Sequence, residues 1–248
     1  MAGHSKFKNI MHRKGAQDKK RAKLFSRLIR EITVAAKLGL PDPIANPRLR
    51  SAVNNALAAN MTRESIDKAI KKQTENSSKN QIEEIIYEGF GPGGAAILIE
   101  VYTDNKNRSA SEIRTTFNKL NGNLGTSGSV KHLFQKVGVI TYSKSIDTFE
   151  NLFEFSSTLS VLDLNENDKV YQIETSLETF HDTLENFEKK YDIPKLSNLE
   201  WKAKELININ ENEAEKLLNL FERLEELDDV QNIFSNFEIK EEFMEKIS

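Results

Sequence analysis

Hydrophobic positions in the first third of the chain recur at intervals of three and four residues. Leu24 or Phe25, Leu28, Ile29, Ile32 and Ala35 or Ala36 form one stripe, the period of a helix that buries a single face. Gly39 and Pro41 end that helix. Asn46 followed by Pro47 predicts a second helix, N-capped by Asn46 and turning Leu49, Ala52, Val53, Ala56 and Leu57 inward, with Asn60 suited to its C-terminal cap. Met61 and Ile66 bracket Thr62 as a hydrophobic staple brackets an N-cap. A third helix follows over 63–72, supported by the four-residue pairs Glu64 with Lys68 and Asp67 with Lys71. The polar stretch 73–81 closes this all-helical part.

Beyond it the pattern shortens. Apolar runs at 82–87 and 95–102 predict two strands, and Gly89-Phe90-Gly91-Pro92-Gly93-Gly94 between them predicts a hairpin turn. Ser109 with Glu112 matches a capping box ahead of Ile113, Phe117 and Leu120, and Gly122 stands just past the helix end. A strand at 137–142 precedes a helix carrying Phe149, Leu152, Phe153 and Leu159. Strands at 161–164 and 170–175 precede one carrying Leu177, Phe180, Leu184 and Phe187. The run 196–207 has the texture of another strand. Asn210 with Glu213 caps a helix bearing Leu217, Leu218, Phe221 and Leu224, and 230–237 is a last strand. This order predicts an α+β multidomain protein: an N-terminal three-helix bundle followed by two α/β sandwich domains with mostly antiparallel sheets.

Composition removes whole classes of function. The 248 residues include no cysteine, which excludes disulfide scaffolds, thiolate zinc sites and cysteine nucleophiles and fits a cytoplasmic protein. The longest apolar run, around Ala95 to Ile99, is far short of the roughly 20 residues that span a bilayer, so no membrane partner is expected. No secretion signal opens the sequence, although residues 1–17 are basic and acid-free, as transit peptides also are. Charge is the informative quantity. The net value of −3 conceals +12 on residues 1–80 and −15 on the remainder.

Most of the excess positive charge lies in residues 6–30. Lys6, Lys8, Arg13, Lys14, Lys19, Lys20, Arg21, Lys23, Arg27 and Arg30 are ten cations against one acid, Asp18. At 100° per residue, Lys19, Lys23, Arg27, Arg30 and Lys37 fall within roughly an 80° arc, opposite the Phe25, Leu28 and Ile32 face. Solvated helix faces normally mix signs, and this one lacks compensating carboxylates. The pattern points to the phosphates of DNA or RNA, with His12 and the ten cations as the candidate contacts. His4 is as readily a bystander, and Phe7 either stacks on a base or pins the arm by packing.

Other motifs carry less. Gly-Asn-Leu-Gly-Thr-Ser-Gly-Ser at 122–129 is either a glycine-adapted loop or a nest of backbone amides for an anion, the first reading being favoured. His4, His12, His132 and His181 show no metal-ligand spacing, and no carboxylate pair is placed with them for acid–base work. The expectation is therefore no catalytic residue, no metal, no cofactor and no small-molecule substrate: a binding protein and not an enzyme. The acidic helix within 211–229 is a solvated face or, less simply, a docking surface for a basic partner. Oligomeric state leaves no mark on the sequence.

The chain also resembles a known family. Met-Ala-Gly-His-Ser-Lys-Phe at 1–7, His-Arg-Lys-Gly-Ala-Gln-Asp-Lys-Lys-Arg at 12–21, Leu-Ile-Arg-Glu-Ile at 28–32 and Asn-Pro-Arg-Leu-Arg at 46–50 are similar to the YebC/PmpR family. So are Tyr-Glu-Gly-Phe-Gly-Pro-Gly-Gly at 87–94, Gly-Asn-Leu-Gly-Thr-Ser-Gly-Ser-Val at 122–130 and Asp-Asp-Val-Gln near 228. Phe7 stands where that family usually has tryptophan. The resemblance implies three domains: a basic three-helix domain over 1–79, a discontinuous α/β domain over 80–133 plus 207–240, and an inserted α/β domain over 134–206. It also implies a DNA-binding regulator of transcription, the usual description of the bacterial members. The alternative it implies is a translation factor bound to the ribosome through ribosomal RNA, since mitochondrial relatives are translational activators of cytochrome c oxidase. The residues themselves leave that choice open, because neither a recognisable helix-turn-helix nor a ribonucleoprotein aromatic motif is present.

Overall fold

The computed structural model describes residues 17–75 and 82–238. Three helices come first: α1 (Gln17–Leu38), α2 (Pro47–Ala58) and α3 (Arg63–Glu75). Their ends follow local chemistry. The Asn46 side chain accepts from Leu49 N at 3.1 Å and donates to Ala35 O and Leu40 O, each at 2.8 Å, so one amide caps α2 and ties down the exit of α1. Asn60 takes a left-handed φ of 62° just past α2, as a C-terminal cap requires. Thr62 Oγ1 accepts from Ser65 N at 3.3 Å, while Met61 and Ile66 are buried in one cluster, completing the staple. Ile32, Ala35 and Ala36 of α1 meet Leu49, Ala52 and Ala56 of α2 and Ile66 and Ala69 of α3, with Phe25 and Leu28 packed alongside. Ile29, expected on this stripe, is exposed instead.

The next part is a four-stranded sheet of order β3-β1-β2-β9: β1 (Glu83–Phe90), β2 (Ala96–Thr103), β3 (Asn123–Leu124) and β9 (Val230–Ser235). β1 and β2 form the expected hairpin, with Phe90 opposite Ala96. β2 lies between two neighbours and every residue of it is buried, which is why its sequence is a nearly continuous apolar run. Helices α4 (Lys106–Lys119) and α7 (Glu211–Glu226) cover one face, where Ile97, Ile99, Val101, Ile113, Phe117, Leu217, Leu220, Phe221 and Leu224 form the core. The other face buries Ala96, Leu98, Val130, Phe134 and Phe234, with Trp201 packed alongside. A parallel pair, β8 (Ile207–Asn208) with β10 (Phe237–Glu238), adds to the antiparallel pairings. The strand expected over 196–207 is thus two, β7 (Leu196–Ala203) and β8.

A second four-stranded sheet has the order β5-β6-β4-β7, from β4 (Phe134–Ser143), β5 (Val161–Glu166), β6 (Val170–Thr175) and β7. Helices α5 (Phe149–Ser157) and α6 (Phe180–Tyr191) pack on it through Ile140, Tyr142, Leu152, Tyr171, Ile173, Leu184 and Phe187. Gly138 is required where the backbone of β4 passes Phe180, because a Cβ there would collide with that ring and with Thr175 Oγ1.

The protein is accordingly α+β, with antiparallel main sheets. Contacts divide it into two compact units. One holds residues 17–23, 82–135 and 201–238, and the other holds 24–75 and 136–200. Within the second unit α2 meets β7 and α6 through polar contacts. Asn55 donates to Ser197 O at 2.8 Å and accepts from Ser197 N at 2.9 Å, so its amide pairs with the strand backbone as another strand would. Arg50 Nη2 donates to His181 Nε2 at 2.9 Å, and Asn54 donates to Glu188 at 3.2 Å.

The capping box expected at Ser109 and Glu112 is not formed. Asn105 caps α4 by accepting from Arg108 N at 3.1 Å, and the helix begins before Ser109. Ser109 is buried, with its hydroxyl directed to Asp229 Oδ2 at 2.7 Å. Thr103 Oγ1 and Arg108 Nη2 also donate to that oxygen, each at 2.9 Å. Burial raises the Asp229 pKa, but these donors outweigh it and hold the carboxyl below its ordinary value.

Candidate nucleic-acid interface

The described part of the basic segment is the first half of α1. Lys6, Lys8, His12, Arg13 and Lys14 lie outside the described residues, and Lys19 and Lys20 lie on the helix with their side chains outside them. Arg21 is exposed, and Lys23, Arg27 and Arg30 are half-buried. A continuous helix therefore sets their spacing at 1.5 Å of rise per residue.

The ridge is shorter than helical geometry alone implies. Residues Ile32, Thr33, Val34, Ala35 and Ala36 are buried in succession, although Val34 falls on the same arc as Arg27 and Arg30. Nε and Nη2 of Arg27 are shielded from solvent as well. The accessible cationic surface of α1 thus ends around Arg30, and Lys37 is exposed beyond a buried stretch. Glu31, the acid that follows Arg30, is engaged by Arg48 of α2, whose Nε reaches Glu31 Oε1 at 2.8 Å. That pairing lessens its repulsion of an incoming phosphate.

The glycine-rich loop after β3 is an amide nest with an internal occupant. Glu88 Oε1 accepts from Gly128 N at 2.7 Å, and Oε2 accepts from Val130 N and Lys131 N, each at 2.8 Å. Glu88 is 3% exposed. Desolvation pushes its pKa up, yet the three amides and the charge of Lys131 hold it below the ordinary glutamate value. Those amides are therefore not available to an outside anion. The composition of the loop signals a nest, whereas the identity of the anion, about 40 residues earlier in the chain, carries no local mark.

Two histidines, His132 and His181, fall among the described residues. His181 accepts from Arg50, and His132 Nδ1 donates to Gly128 O at 3.3 Å. Among the described residues no group of three or more His, Cys, Asp or Glu side chains could hold a metal ion, and no helix is long and apolar enough to cross a membrane.

Two family models together match nearly the whole chain. The TACO1/YebC protein N-terminal domain matches residues 5–76, and the TACO1/YebC second and third domain matches residues 82–237. This chain belongs to the TACO1/YebC family. Among curated relatives, a probable transcriptional regulatory protein of Zymomonas mobilis subsp. mobilis is 47% identical over 247 residues, covering 100% of this chain and 99% of that protein. Among solved structures, a conserved hypothetical protein from Aquifex aeolicus superimposes with a TM-score of 0.85 at 43% identity, covering 90% of this chain and 93% of that one. The TACO1/YebC fold is thus established for this sequence.

Proposed function

We propose that this protein is a nucleic-acid-binding regulator of gene expression, acting in the cytoplasm on transcription through DNA. The observation that carries this reading is the basic segment, with ten Lys and Arg side chains against one acid between residues 6 and 30, in a chain whose net charge is −3. Lys and Arg side chains on that segment displace condensed counterions from phosphates, so the free energy of binding is largely electrostatic. The name of the Zymomonas relative agrees with a role in transcription. No catalytic step, cofactor or small-molecule substrate enters the proposal.

A second reading follows from the same electrostatics. A segment that neutralises phosphates grips ribosomal RNA as readily as duplex DNA, which supports association with the ribosome and an action on translation. Sucrose-gradient fractionation of lysate at low and moderate salt, followed by crosslinking and sequencing of the bound nucleic acid, separates the two. Discrete chromosomal sites without ribosomal signal are expected for the transcriptional reading. Co-migration with ribosomes and crosslinks to ribosomal RNA would replace it with the translational one.

A further inference from the structure

We propose a second phosphate-binding surface on the acidic part of the chain, formed by the glycine-rich loop at 122–130, Lys131, His132 and Lys204. The proposal rests on the nucleic-acid reading above and locates a contact outside the basic segment. Its first support is a charge pattern. The chain after residue 80 carries a net −15, yet no Asp or Glu occurs between Ile113 and Gln135, a stretch that includes Arg114, Lys119 and Lys131. A solvated surface of an acidic protein normally intersperses both signs.

Geometry is the second support. The loop is held from inside by Glu88, and Gly128 accommodates the turn with a φ of 86°. Because Glu88, the carboxylate that the loop encloses, is buried and saturated by three amides, it presents little negative charge outward. The outward side carries exposed Asn123, Thr126, Ser127, Lys131 and His132, which supply hydroxyl, amide and ammonium donors. Lys204 N donates to Leu133 O at 2.9 Å, which brings the end of β7 beside this turn.

Preorganisation is the third. The Lys131 ammonium lies 5.2 Å from the centre of the Trp201 ring, and Trp201 Nε1 donates to Glu100 Oε1 at 3.0 Å. The indole is a fixed platform beneath the lysine, so less side-chain freedom is lost when a phosphate arrives. The ligand is a phosphodiester backbone, of DNA or of RNA, and hydroxyl and ammonium donors of this kind position a backbone without reading bases.

Trp201 is the single tryptophan of the chain, which provides a direct readout. The full-length protein is titrated at several salt concentrations with a 20-base-pair DNA duplex and, separately, with a single-stranded RNA. Affinity and Trp201 emission are followed for the wild type and for the Lys131→Gln/Lys204→Gln double variant. The double variant is expected to keep its circular dichroism spectrum and to lose about 1.8 from the slope of log K against log salt on duplex DNA, about 0.9 for each phosphate contact, or about 1.4 on single-stranded RNA. Saturating nucleic acid should change Trp201 emission in the wild type. It should also do so in a Lys19→Gln/Lys23→Gln/Arg30→Gln variant, once more ligand is added. The polymer showing the slope loss identifies the source of the phosphate. Binding by the wild type with an unchanged slope in the double variant and unchanged Trp201 emission would overturn this surface while leaving the basic segment standing. Wild-type protein that binds neither polymer would overturn both.

Discussion

The carboxylate of Glu88 on β1 and the backbone amide of Val130 are joined by a 2.8 Å hydrogen bond, one of three that close a surface loop around a buried negative charge. The other two come from Gly128 and Lys131. A carboxylate can accept all three, whereas a neutral amide at this position must turn an NH2 group toward at least one N–H. Glu88→Gln should therefore lower the stability of the folded protein by about 2–4 kcal/mol. Denaturant unfolding checks this, and faster hydrogen exchange at the amides of 128–131 should accompany it.

Acid should act through the same group and through Asp229. Both carboxyls are held below their ordinary values in the folded protein, so the unfolded chain takes up protons first as pH falls. Their contribution is complete above the ordinary carboxylate range, about 4, and is lost as pH drops through the lower folded values. The wild type should lose stability between about pH 5 and pH 3 more steeply than a Glu88→Gln/Asp229→Asn variant. Parallel curves of unfolding free energy against pH for the two proteins would contradict the assignment.

Within the unit formed by the helical bundle and the second sheet, Asn55 is the side chain to remove. Its amide satisfies both the N–H and the C=O of Ser197, a residue 1% exposed. Asn55→Ala strands two buried backbone groups and should cost about 2 kcal/mol, measured as a lowered denaturation midpoint. Asn55→Asp restores only the acceptor, so it should recover part of that loss at most.

The ends of α2 and α7 were legible in the sequence because capping is local. Asn46 with Pro47 begins α2, and Asn210 with Glu213 makes both hydrogen bonds of a capping box on α7. The same rule misplaces the start of α4. Ser109 and Glu112 have the right spacing, but the Ser109 hydroxyl is claimed by Asp229, 120 residues away, and Asn105 supplies the cap. Long-range partners hid the Glu88 nest in the same way. In the basic segment the charge excess is plain from composition. Its accessible extent is not, because the burial of Val34 and of two Arg27 guanidinium nitrogens depends on tertiary packing that helical periodicity does not encode.

Asn210 offers a control that separates stability from binding. Asn210→Ala removes the acceptor for Glu213 N, at 3.0 Å, at the start of the acidic helix and should destabilise the fold by about 1 kcal/mol. Nucleic-acid affinity, measured well below the unfolding transition, should be unchanged. A loss of affinity would assign the acidic helix a part in binding that the account does not give it.

The central claim is that cations on α1 engage phosphates. The most direct test is the salt dependence of duplex-DNA binding by the wild type and by a Lys19→Gln/Lys23→Gln/Arg30→Gln variant, followed by fluorescence anisotropy on a labelled duplex. Arg27 is left in place because two of its guanidinium nitrogens are shielded from solvent. The account predicts that the magnitude of the slope of log K against log salt falls by about 2.7 in the variant, about 0.9 for each phosphate contact removed, with the thermal midpoint preserved. Identical slopes and affinities for the two folded proteins would contradict it.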